Sequence, residues 1–162
     1  IKGPEEKDIV NVNDIIEIIT NIRSTKAELK ITPKLFCDIS FSDKSSKLKK
    51  LVKSNMNLVK QVGRISDILE NKNIDKNNID ILVLKEKLTL KFNENIDLSS
   101  QKTRILQKIE TINNQISNLN IKLKNKAYIK NAPKEIVQND KKLVKELTVE
   151  DRKLRSIVSS IN

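Results

Sequence analysis

Ile105, Ile109, Ile112, Ile116, Leu119 and Leu123 follow one another at alternating steps of four and three residues, and no other feature constrains the fold as tightly. A 3.5-residue apolar repeat with a polar remainder places one narrow stripe along a helix, which is the seam of a coiled coil. The pattern stops over residues 124–132, Pro133 follows, and a second series on the same ladder runs through Val137, Val144, Leu147, Leu154, Val158 and Ile161. Asp140 and Asp151 are its polar exceptions. Pro133 suits the first turn of a helix, where its missing N–H is no loss, and Glu135 favours the positive helix end. Two helices of similar length joined by a short turn predict an antiparallel hairpin, an arm of about 35 to 40 Å at a rise of about 1.5 Å per residue. A seam this thin supplies reach rather than a thick core.

Residues 1–96 carry other patterns. Val12, Ile15, Ile16, Ile19 and Ile22 are read as one helical face, with Asn13 or Asp14 as N-cap and Pro33 closing the element. Leu35, Cys37, Ile39 and Phe41 alternate with Phe36, Asp38 and Ser40 as in a short strand, and residues 42–46 read as a turn. Leu48, Leu51, Val52, Met56, Val59, Val62 and Ile65 predict one amphipathic helix ending near residues 63–66. A polar stretch at 71–78 reads as a loop. Residues 79–84, a Lys85–Glu86 turn and residues 87–92 then read as a hairpin with Leu88, Leu90 and Phe92 on one face. The expected fold is α+β: a helix (1–32), a small βαββ module (33–96) and a long antiparallel coiled-coil hairpin (97–162). A module of that size is marginal alone and calls for support from the first helix or the base of the arm.

Little in the chain can carry catalysis. There is no His and there are only two Gly, which removes the usual general base and excludes a glycine-rich phosphate loop or dinucleotide fingerprint. Ser99, Ser100, Ser159 and Ser160 have no His to activate them and read as helix-end residues. The pairs Asp8 and Asp14, Asp67 and Glu70, and Glu150 and Asp151 lie among polar or capping residues and read as solvated charge. Cys37, the one cysteine, cannot build an internal disulfide or a multi-thiolate metal site and reads as a small apolar strand residue. No catalytic residue, metal site or cofactor of its own is therefore expected. No apolar run approaches the roughly 18 to 20 residues of a bilayer span, and the start, Ile1, shows no secretory signal. The expectation is a monomeric, cytoplasmic piece of a longer protein with no membrane partner.

Charge is the stronger signal. The net charge is +11, and residues 99–162 hold 14 Lys or Arg against 6 Asp or Glu, while residues 1–98 hold 18 against 15. Lys122, Lys124, Lys126, Lys130 and Lys134 cluster at the end of the first arm helix and the turn, with no acidic residue between the first and the last. Lys141, Lys142 and Lys145 follow shortly after. A positive tip of this kind suits a phosphate backbone; the bland alternative is a solvated coiled-coil surface. Tyr128 and Ile129 sit among these lysines, either to stack on an exposed base or to close the apolar end of the hairpin. With one Tyr and three Phe in the chain, stacking cannot be the main binding mode, and recognition of backbone and shape is expected.

The segment Leu123-Lys-Asn-Lys-Ala-Tyr-Ile-Lys-Asn-Ala-Pro-Lys-Glu-Ile-Val137 resembles the hairpin turn of bacterial valyl-tRNA synthetases. There a helix ends in Leu, and an aromatic-Val/Ile pair and an Ala-Pro-x-x-Val/Ile-Val opening follow. Asn95-Ile-Asp-Leu98 resembles the opening of the same coiled coil, and Ile15-Ile-Glu-Ile-Ile19 with Ile22, Arg23, Glu28 and Pro33 resembles the last helix of the anticodon-binding bundle. The family commonly has a second Arg where this chain has Lys26, a change that keeps the charge and loses the bidentate fork. The resemblance implies tRNA as partner. The arm would grip the outer corner of the tRNA, and Arg23 and Lys26 would approach it from the helical bundle. Valine activation, ATP use and editing would belong to a catalytic portion lying elsewhere. Two readings stay open beside it: a coiled-coil protein-interaction or self-association module, and a general ribosomal-RNA-binding hairpin.

Overall fold

The structure is a computed structural model that describes residues 6–42, 46–70 and 78–161. In chain order the elements are α1 (Glu6–Glu28), β1 (Cys37–Phe41), α2 (Lys47–Ser54), α3 (Met56–Gly63), β2 (Ile65–Leu69), β3 (Asn78–Val83), β4 (Glu86–Phe92), α4 (Ser99–Lys124), α5 (Lys126–Asn131) and α6 (Lys134–Ser160). The α+β class holds, with several local corrections.

Helix α1 runs straight through Asn13 and Asp14, so neither is its N-cap. Its buried face is Ile15, Ile18, Ile19 and Ile22, the i, i+3, i+4, i+7 stripe, while Val12 and Ile16 are 57% and 54% exposed. Pro33 does not close it. The helix ends earlier, where the Ile31 and Lys30 N–H groups donate to the Lys26 and Ala27 carbonyls at 2.8 and 3.1 Å and Lys30 takes a left-handed φ of 56°. This is a Schellman closure in which a lysine occupies the position that glycine usually fills.

The single helix expected after the first strand is two. At Asn55 the chain breaks: its N–H donates to the Val52 carbonyl and its side-chain amide to the Leu51 carbonyl at 3.0 Å. Ser46 caps α2, its hydroxyl accepting from the Lys49 N–H at 3.2 Å; the rest of the turn expected there, residues 43–45, lies outside the described residues. Ile65 is not the last residue of the helix but the first of β2, a strand the sequence reading missed. The order β2-β1-β4-β3 sets β1 parallel to β2 and antiparallel to β4, so two helices cross between β1 and β2. Of the loop expected at 71–78, residues 71–77 lie outside the described residues, and Asn78 opens β3. The hairpin forms, with its turn one residue earlier than expected. Val83 pairs with Glu86, and Leu84 and Lys85 take φ of 48° and 67°, the sign a two-residue type I′ turn requires. Leu88, Leu90 and Phe92 are buried as expected.

Helices α4 and α6 pack on each other. Their cross-contacts run in opposite senses: Lys102 to the Ile161 carbonyl at 3.1 Å, Lys108 to Glu150 at 3.4 Å and Lys122 to Asp140 at 3.6 Å. Ile105, Ile109 and Ile112 are buried, but Ile116, Leu119 and Leu123 are only partly so, which makes the seam thickest at its base. Ile157, off the ladder, is buried too, because the end of α6 also packs on β3. One continuous core joins Ile18 and Ile22 of α1, the sheet, and Ile105, Ile109, Leu154 and Ile157. The mixed module thus receives the support its size demands.

Candidate nucleic-acid interface

The far end of the helix pair is built by local sequence. After α4 the side chain of Asn125 turns back and accepts from the Ala127 and Tyr128 N–H groups at 3.0 and 3.3 Å, the N-capping pattern, so the expected turn is the short helix α5. The Ala132 N–H then donates to the Tyr128 carbonyl at 2.8 Å. Pro133 stands just before α6, and its carbonyl accepts from Ile136 and Val137. Four helix ends therefore converge within a dozen residues.

Lys124, Lys126, Lys130 and Lys134 are all exposed there, as are Lys141 and Lys145 two to three turns further along α6. None of these six has a carboxylate within ion-pair distance among the described residues. Lys142 lies 3.9 Å from Glu146, an exposed pair worth little. Lys122 differs. Its ammonium sits 4.8 Å from the centre of the Tyr128 ring and 3.6 Å from Asp140, and the Tyr128 hydroxyl donates to the same carboxylate at 2.6 Å. The adjacent Tyr128 hydroxyl, and then the Asp140 charge, hold Lys122 above the usual lysine range. Tyr128 is half-buried and tied down at its hydroxyl, while Ile129 is 44% exposed. Ile129 therefore closes no apolar end, and the partners of Tyr128 are Asp140 and Lys122.

The two α1 residues do not join this surface. Arg104 and Lys108 of α4 reach Glu28 of α1 at 3.1 and 3.2 Å, which places α1 beside the base of the arm. From Lys108 to Lys124 the helix rises about 24 Å. Arg23 is exposed beside a shallow apolar groove between α1 and α3, lined by Val12, Ile16, Leu58 and Val62. Lys26 corrects the expectation that it meets RNA. It is 1% exposed, and its ammonium donates to the Leu35 and Gly63 carbonyls at 2.7 and 3.4 Å. Burial lowers its pKa, partly offset by the nearby Cys37 and reinforced by Arg64. It ties α1 to the entry of β1 and the end of α3.

Asp140 is the site residue that sequence reasoning passed over. It registered only as a break in the apolar ladder, although an acid at a seam position facing the one Tyr of the chain was the available signal.

Elsewhere the carboxylates serve structure. Glu70 takes Lys49 and Lys53 at 2.6 and 3.1 Å, Arg155 holds Asp151, and no group of three potential metal ligands occurs among the described residues. No helix among them is long and apolar enough to cross a membrane. What the tip offers chemically is positive charge on a capped helical mount.

Comparison with known proteins points the same way. The family described as valyl tRNA synthetase tRNA binding arm matches residues 97–162. Over 141 residues, 86% of this chain, the sequence is 32% identical to a valine–tRNA ligase of Pelagibacter ubique. It is 25% identical over 127 residues to that of Nitrobacter winogradskyi, and 23% identical over 153 residues to that of Aquifex aeolicus. The chain spans only 16%, 13% and 13% of these relatives' lengths.

Proposed function

This chain belongs to the valyl-tRNA synthetase family, with its tRNA-binding arm at residues 97–162, and from that premise we propose that it grips tRNA through the lysine-rich end of the arm. The observation that carries this reading is the group of lysines without ion pairs among the described residues, Lys124, Lys126, Lys130 and Lys134 on a capped helical tip and Lys141 and Lys145 further along α6. Ammonium groups mounted in this way are matched to a folded phosphate backbone and need no base readout. Lys122 and Lys142 add charge at the rim, and Tyr128 supports the tip rather than stacking on a base.

On this reading α4 and α6 wind as an antiparallel coiled coil. Residues 1–32 are the last helix of an anticodon-binding bundle, and residues 33–96 are a linker between bundle and arm. Arg23 approaches the RNA from the bundle side. The whole protein attaches valine to its tRNA at the expense of ATP in the cytoplasm, and this portion contributes binding with no catalytic group, metal or cofactor of its own. The chain acts as a monomer, because α4 finds its seam partner in α6 of the same chain; a sedimentation mass of two or more chains contradicts that part.

Charge reversal at Lys124, Lys126 and Lys130 tests the reading. These side chains touch nothing in the core, so helix content and melting are expected to stay unchanged while the affinity for valine-accepting tRNA falls by about tenfold or more. An equal preference for ribosomal RNA in direct competition favours a general RNA-binding hairpin instead. Undiminished tRNA binding by the triple variant contradicts both.

A further inference from the structure

A carboxylate stands inside this positive tip, and simple charge counting makes it a defect. Asp140 lies on the α6 side facing α4 and α5, with a side chain only 16% exposed. It accepts the Tyr128 hydroxyl of α5 at 2.6 Å and lies 3.6 Å from the Lys122 ammonium of α4. Lys122 in turn sits over the Tyr128 ring. One residue of each arm element therefore meets at this point. Within α5 no side chain is fully buried, and Tyr128 is the one residue that is even partly so. A six-residue helix is far too short to hold itself together in water, and both its shape and its docking must come from such contacts.

We propose that Asp140 is a positioning residue for RNA binding: through Tyr128 it docks α5 on α6, and so fixes Lys126 and Lys130 relative to Lys124 at the end of α4. The inference rests on the tRNA reading above and deepens it, because affinity then depends on an acid that electrostatics alone says the tip is better without. Docking α5 beforehand spares the RNA the cost of ordering it, which is how a group that touches no phosphate raises affinity.

Two substitutions separate this role from charge. Asp140→Asn and Asp140→Ala remove the same negative charge, but only Asn keeps an acceptor for the Tyr128 hydroxyl. In titrations of the full chain with labelled valine-accepting tRNA, Asp140→Ala is expected to bind about three- to tenfold more weakly than Asp140→Asn, the worth of one net hydrogen bond. Tyr128→Phe should lose a similar factor. The double variant Tyr128→Phe with Asp140→Ala should lose no more than either alone, as for partners in one contact. A second readout needs no RNA. The chain has one Tyr and no Trp, so its intrinsic emission reports Tyr128 alone, and release from a quenching carboxylate should brighten it in Asp140→Ala. Equal or tighter binding by Asp140→Ala than by Asp140→Asn overturns the proposal, as does unchanged tyrosine emission. Failure of the unaltered chain to bind tRNA is a different result. It removes the tRNA reading and this inference with it, and is recognised because the emission change is read without RNA.

Discussion

The side chain of Lys26 leaves α1 and ends among backbone carbonyls, those of Leu35 and Gly63, with Cys37 close enough to interact with its charge. Nothing in the linear sequence distinguishes it from the solvated lysines around it. A long apolar stem lets an ammonium follow whatever acceptor the tertiary fold supplies, so its role became legible only with the structure. Cys37 was legible, since a cysteine among alternating apolar residues packs as a small apolar group, and it is fully buried. The pair has a consequence for stability at alkaline pH. Burial pushes the Cys37 thiol up from 9.0 to about 11, so the folded chain retains a proton that the unfolded chain loses. Its stabilising contribution is complete below pH 9 and disappears as pH rises through 11. Lys26 opposes it: its lowered value makes the unfolded chain bind more protons below 10.5, and stability rises with pH there. Comparison with Cys37→Ala reads the thiol together with its coupling to Lys26. Across pH 9 to 11 the urea-unfolding free energy of the unaltered chain should fall by about 2 to 3 kcal/mol relative to the variant. Parallel curves contradict the assignment.

Elements were readable where periodicity was long, and misread where a few residues decide. The arm helices announced themselves through several turns of the same step, and the β3–β4 hairpin through alternation on both sides of a turn. The break at Asn55 depends on one amide reaching back to the Leu51 carbonyl, and the apolar spacing of 48–65 continues across it without a mark. Strand β2 is five residues long and begins at Ile65, which also fits the helical stripe, so pairing with β1 decides its state. The end of α1 moved for a related reason: Lys30 accepts a left-handed φ although no glycine signals it. The joint between α1 and the arm could not be read at all, because Glu28 meets Arg104 and Lys108 from 76 and 80 residues away. Arg104 also donates to the Glu28 backbone carbonyl, and Lys108 shares itself with Glu150. Both cations are more than a third exposed, so screening keeps the joint modest. Glu28→Ala should cost about 1 kcal/mol in chemical denaturation and loosen α1 from the arm, seen as faster amide exchange near Arg104. A loss above about 3 kcal/mol would mean that Glu28 holds more than this joint.

At the scale of the molecule, the chain mounts a long lever on a small mixed module and carries, toward the free end, a group of lysines without ion pairs among the described residues. The uneven charge was visible in the sequence, and so was the lysine cluster. How it is held was not, since α5, its Asn125 cap and the contact between Tyr128 and Asp140 each depend on where the chain turns. The base of the arm belongs to the core: Ile105, Ile109, Leu154 and Ile157 pack with α1 and the sheet. Removing residues 97–162 would strip that core, and so cannot separate lost binding from lost folding. The ionic-strength dependence of tRNA affinity avoids the difficulty, because it leaves the protein whole. If the tip neutralises about three to five phosphates, the logarithm of the association constant should fall with the logarithm of salt with a slope of about −2 to −4. The chain carrying reversed charges at Lys124, Lys126 and Lys130 should show a slope nearer zero at unchanged helix content. A steep slope that persists in that variant would place the phosphate contacts elsewhere on the molecule and contradict the account.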